Sequence, residues 1–229
     1  MLTSNRDEHS RRLQASGPAI HAGVSGSMLY PTDGDAGGTW IGAHERGHAV
    51  VLLNGCDQNH IRANHYRKSR GLVLVDLLDQ ENPLSRFDQV DLEGIEPFTV
   101  VVWTQGQLWE CRWNGLAKFL QRRSGGEARI WSSVTLYQEE VIAKRRSWFD
   151  RWRMDVPVPT QEQILDFHLF TGDGDKTNDV LMNRNNQIFT VSISSIQLGK
   201  HSASMTYLDL LAHQKLAGEL QICQPTESE

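Results

Sequence analysis

No long hydrophobic run occurs in this chain. Its most apolar stretches, Ala49–Leu53 and Val100–Trp103, are far shorter than the roughly 20 residues that a bilayer-spanning helix needs. Cysteine is scarce, with three in 229 residues; Cys56, Cys111 and Cys223 share no metal-ligand spacing and cannot all pair. A reduced, cytoplasmic setting is therefore the expectation. A basic excess is missing too. The net charge is -5, and the clusters Arg11–Arg12 and Lys144–Arg146 sit among acidic residues, which argues against a nucleic-acid partner. The first sixteen residues hold five charges between Asn5 and Arg12 and no apolar core, so no signal peptide is read there. There is no internal repeat and no long linker. With 39% hydrophobic and 22% charged residues, a single domain over 1–229 is expected, with 224–229 a frayed tail.

What is present reads as hairpins and helices. Residues 9–38 have little periodicity and many Gly, Pro, Ser and Asp, and are expected to be mostly loop. Thr39–Ala43 and His48–Asn54 flank Glu45-Arg46-Gly47 as a hairpin. Ser69 is placed to cap a helix reaching Asp79, and Pro83 to start a second over Leu84–Val90. Phe98–Thr104 and Gln107–Trp113 flank Gln105-Gly106, a strong two-strand signal. Ala128–Ser133 reads as a short strand. Glu139–Met154 is the clearest helix, with Val141, Ile142, Trp148, Phe149 and Trp152 as its buried stripe. Thr160 opens another helix through Leu169, and Asp179–Met182 with Gln187–Ser194 make a hairpin. Beyond Leu210 the pattern is ambiguous. Antiparallel sheets packed against helices, an α+β fold, follow from this order, and an αββα sandwich is one of several arrangements compatible with it.

Several motifs invite chemistry. His44-Glu45-Arg46-Gly47-His48 fits the zinc-protease pattern, which requires both histidines on one face of a helix. Gly47 inside the motif and β-rich runs on both sides favour a turn instead, and no metal is assigned. The run from Asp173 to Asp179 resembles a calcium loop but has Asn178 where Gly belongs and Arg184 where the closing Glu belongs. His60 and His65 read as loop histidines, the aromatic set of Trp131, Trp148, Phe149 and Trp152 as core, and Lys144, Arg145 and Arg146 as a solvated face from which one side chain could reach an anion. Asn5-Arg6-Asp7-Glu8, behind the strand-like Leu2-Thr3-Ser4, could be a surface turn, yet an arginine beside carboxylates is also a device for holding a polar site.

Asn5–Glu8, Gly37–Gly42, Leu52–Asn54, Arg67–Leu72, Trp131–Tyr137 and Thr177–Asp179 occur in the order expected of the NRDE family, also called the transport and Golgi organisation family, and the chain resembles its bacterial branch from residue 3 to about 195. The resemblance implies a four-layer αββα N-terminal-nucleophile (Ntn) hydrolase-like sandwich, similar to the bile-salt and penicillin V acylases. In that chemistry an N-terminal Cys thiol attacks an amide or thioester carbonyl and its own α-amine, with a pKa near ~8, is the base. By resemblance Arg6 and Asp7 would orient the nucleophile, with Asn5, Asn54, Ser132, Ser133 and Asn178 as binding groups around the cleft. Family members open with Met-Cys-Thr and a full strand before the tetrad, whereas this chain opens Met1-Leu2-Thr3-Ser4. The first strand and its nucleophile are thus expected to be missing, from a start codon taken inside the gene. Cys56, Cys111 and Cys223 carry no free α-amine and cannot substitute. No cofactor is implied. Eukaryotic relatives are associated with haem movement and acyl-lipid handling, which implies a second reading: a non-catalytic carrier of a hydrophobic anion.

Overall fold

The computed structural model describes residues 1–223; the expected frayed tail, 224–229, lies outside the described residues. Two antiparallel sheets are present. One runs β2 (Pro18–Ala22), β3 (Ser27–Pro31), β4 (Ile41–His44), β5 (Ala49–Asn54), β6 (Phe98–Thr104), β7 (Gln107–Trp113), β8 (Lys118–Arg123) in sequence order. The other runs β1 (Leu2–His9), β10 (Ile188–Leu198), β11 (Ser202–Asp209), β12 (Gln214–Gln221), with the short β9 (Asn183–Arg184) also on β10. Helices α1 (Arg70–Leu78) and α2 (Pro83–Gln89) cover the outer face of the seven-stranded sheet. Helix α4 (Gln161–Phe170) lies on the outer face of the other, and α3 (Glu139–Asp155) packs on α4. This is the expected αββα order.

Strand alternation builds both cores. In β5 and β6, Val50, Val100 and Val102 point to α1 and α2, where they meet Leu74, Leu77 and Phe87. Val51 and Val101 point the other way and pack with Ile41, Ala43, Ile196, Met205 and Tyr207 between the sheets. Local signals hold where the side chains cap or turn the backbone. Ser69 Oγ accepts from the Leu72 N–H at 3.3 Å, Asn82 caps α2 and Thr160 closes a capping box with Gln163. Gln105 and Gly106, both at positive φ, turn β6 into β7 with the boundaries expected from sequence.

Residues 9–38 are mostly loop as expected, apart from the β2–β3 hairpin; β2 is an edge strand with few buried residues, so it has no apolar alternation to find. Two expectations are corrected. Ala128–Ser133 is not a strand; the strand is Lys118–Arg123, and Trp131 and Ser133 spend their polar atoms on Glu110 and the Asn54 carbonyl. The tetrad Asn5–Glu8 lies inside β1, which pairs with β10 from Leu2 to His9, so it is strand and not a turn.

His44 and His48 flank the β4–β5 turn as the hairpin reading requires, with stacked rings 4.6 Å apart. Nδ1 of His44 accepts from the Arg46 N–H, which leaves Nε2 to donate to Ser25 Oγ at 3.0 Å; Nε2 of His48 donates to the Leu78 carbonyl at 2.9 Å. Burial holds both imidazoles neutral and lowers the His48 pKa to about 4.

The unfolded chain therefore binds more protons than the folded one between about pH 6.5 and pH 4. Stability is full above that window and falls through it on acidification, by up to about 3 kcal/mol for His48 alone. Urea unfolding of wild type and His48→Gln at pH 7 and 4.5 should show a shallower acid loss in the variant. Leu74→Ala, at a fully buried site on α1, should cost about 2–5 kcal/mol in the same assay.

Candidate active site

Residues Met1–Glu8 all line one cleft of about 1020 Å³. Among the described residues β1 pairs only with β10, and the cleft runs along the residues of β1. The opposite wall comes from Thr39, Trp40 and Val51–Asn54 of the seven-stranded sheet; the segment 125–137 and helices α3 and α4 close the rest, and residues 62–71 form the rim.

Alternation along β1 distributes its polar side chains. Leu2 packs between the sheets, and Arg6, four residues on, shares that face. Arg6 is 7% exposed: its Nη2 donates to Asp33 at 2.5 Å, Glu8 lies 3.5 Å away, and its guanidinium sits 4.9 Å from the centre of the Trp40 ring. Asp33 also accepts from Arg12 at 2.7 Å. Burial opposes its charge, but the Ala36 N–H and the two guanidiniums outweigh that and hold its carboxyl below the usual range. Asn5 points to the helix side. Its amide donates to the Val180 carbonyl, so its oxygen is the acceptor for Nδ1–H of His168 at 2.7 Å.

The register shift beside Arg6 and Asp7 leaves Val191 of β10 as the extra residue, so β1 keeps its alternation and Asp7 takes the face opposite Arg6. There Asp7 accepts from the hydroxyls of Tyr137 at 2.8 Å and Thr190 at 2.7 Å. Burial and the Asp7 carboxylate push the Tyr137 phenol up, so it is a fixed donor. Burial and the charge of Arg145 lower His168 to about 4, so it is a neutral imidazole held as one tautomer by Asn5.

Six of the seven residues expected at the site come together here. Asn5, Arg6, Asp7, Asn54, Ser132 and Ser133 line the cleft, with Ser133 Oγ donating to the Asn54 carbonyl at 2.8 Å. Asn178 does not: its side chain bonds Asp175 and Thr177 within its own turn, and only its carbonyl turns inward, to Arg145. Its sequence context marks a turn, and a turn spends its side-chain amide locally.

Asp33, Trp40, Tyr137 and His168 were not expected as site residues, and Arg145 only as one of three side chains on a solvated face from which one could reach an anion; it is buried instead. Arg145 had a legible signal, since it occupies the apolar stripe of α3, four residues from both Val141 and Phe149. That stripe is not core as expected. Trp148, Phe149 and Trp152 are only half-buried, and Phe149 and Trp152 face the cleft with Phe167.

Tyr137→Phe removes the phenol that Asp7 accepts and leaves only Thr190 among its hydroxyl partners. The expected cost is about 1–3 kcal/mol in urea unfolding, with no loss of the αββα fold by circular dichroism.

Two solved structures from Clostridium perfringens share the architecture. A mutant of its conjugated bile acid hydrolase superposes with a TM-score of 0.55 at 10% identity, covering 96% of this chain and 92% of that one. A second variant of the same enzyme gives 0.55 at 10% identity, covering 99% and 95%. At that identity the likeness establishes the Ntn-hydrolase fold and nothing finer. Comparison with curated proteins finds no match. The family described as transport and Golgi organisation 2 matches residues 1–217, and with the Asn-Arg-Asp-Glu strand set in the cleft wall the chain belongs to that family.

Proposed function

We propose that the cleft is the acyl site of an Ntn-type amide or thioester hydrolase, in which Arg6 and Asp7 orient the nucleophile and Asn5, Asn54, Ser132 and Ser133 contact substrate. The observation that carries this reading is that Arg6 and Asp7, each hydrogen-bonded on its own side of β1, line the same cleft. Such pre-bonded polar groups need little reorganisation when charge develops on a substrate oxygen.

The thiol is none of the three cysteines. Burial pushes Cys56 and Cys111 up to about 12, and neither they nor Cys223 line the cleft. The cleft residues named above supply the orienting and binding groups of this reading. A second reading, a carrier of haem or an acyl lipid, draws on the cleft's volume and on its aromatic wall of Phe149, Trp152 and Phe167.

A chain extended by an N-terminal strand that begins Met-Cys should hydrolyse acyl amides or acyl thioesters, and replacing that Cys by Ser should abolish turnover. A companion variant with Cys56, Cys111 and Cys223 all changed to Ser should keep it. Tight haem or acyl-CoA binding with no turnover in any form would favour the carrier.

A further inference from the structure

Helix α3 buries one side chain, and it is Arg145, 7% exposed. A guanidinium taken out of water normally brings a carboxylate with it. Four other arginines of the cleft follow that rule, Arg6 and Arg12 with Asp33, Arg70 with Glu96 and Arg129 with Glu127, while the half-exposed Arg153, at the end of α3, donates to the Val156 and Pro157 carbonyls. Even the adjacent Lys144 pairs with Asp173. Arg145 has no carboxylate among the described residues. Its Nε donates to the Asn178 carbonyl at 3.1 Å and its Nη2 to the Asp179 carbonyl at 2.5 Å, and it lies 3.7 Å from the centre of the Tyr137 ring. Asp7, at the far end of Tyr137, is already bonded to two hydroxyls.

The positive charge is thus met only by neutral dipoles and a ring face. Among the described residues Nη1 of Arg145 donates to no carboxylate and no carbonyl, and Arg145 lines the cleft. Beside it runs an apolar strip. Phe149 and Trp152 follow Arg145 by one and two turns of α3, and Phe167 of α4 packs 5.8 and 4.9 Å from them. Nearby His168 is neutral and adds no second charge.

We propose that Arg145 seats the carboxylate of an amphipathic acid, whose hydrocarbon portion lies along Phe149, Trp152 and Phe167. The guanidinium fork is suited to this, since it presents planar donors to a planar anion. The anchor is separate from the Arg6–Asp7 pair, so one ligand can hold its acid at α3 and present another part of itself to β1. The inference rests on the cleft being an acyl site and adds which residue reads the ligand's charge.

Titration calorimetry of the wild-type chain with decanoate and with decanol, which share a chain and differ in charge, tests the seat. Decanoate should bind at least about tenfold more tightly. Arg145→Gln should weaken decanoate by about 10- to 100-fold and leave decanol unchanged, while Arg145→Lys recovers only part, having the charge without the fork. Trp152→Ala should weaken both ligands alike. If Arg145→Gln does not fold, the His168 imidazole of the wild type decides by nitrogen NMR: decanoate beside Arg145 should raise its pKa, and decanol should not. Equal wild-type affinity for acid and alcohol, full decanoate affinity in Arg145→Gln, or a His168 titration unmoved by decanoate overturns the anion seat and leaves the acyl cleft standing. Binding of neither ligand overturns both.

Discussion

Burying Arg6 is the constraint on which the cleft depends. A lone guanidinium between two sheets would cost several kcal/mol, and the fold answers with Asp33 at 2.5 Å, Glu8 at 3.5 Å and the face of Trp40. Asp33 comes from the connection after β3, and Trp40 from the residue before β4, so the seven-stranded sheet supplies the partners of a side chain carried by the other sheet. One charged side chain thereby fixes the spacing of the two layers where the cleft opens.

Strand β1 is polar on both faces for the same reason. An interior strand with Asn, Arg and Asp in succession would leave charges in an apolar core. At a sheet edge beside a cleft each finds a partner: Asn5 with His168 and Val180, Arg6 with Asp33, Asp7 with Tyr137 and Thr190. Alternation puts Arg6 and Asp7 on opposite faces of β1, and the irregularity beside them falls on Val191 of β10.

The helical wall uses the opposite device. α3 has an amphipathic pattern, yet its stripe is half-exposed because it meets α4 through Phe167 and faces the cleft beside it. Aromatic side chains there cover one another edge to face, and the arginine set among them is the most buried residue of the helix. Periodicity reports which residues share a face. It does not report whether that face meets protein or open space.

Local chemistry determined much of this protein from sequence alone. The caps at Ser69 and Thr160, the Gln105-Gly106 turn and the Glu45–Gly47 turn depend on residues a few positions apart, and they stand where the sequence places them. The tetrad and its companion motifs likewise mark the cleft, since six of the seven residues they name line it. Edge strands β2, β8 and β12 escaped notice because their exposed side chains follow no alternation. Only the tertiary structure decided that Asn5–Glu8 is a strand, that Asn178 turns away, and that His168, Arg145 and Tyr137 stand beside β1. Those pairings join residues more than a hundred positions apart. They depend on two sheets closing over one another, and no local window of sequence records that closure.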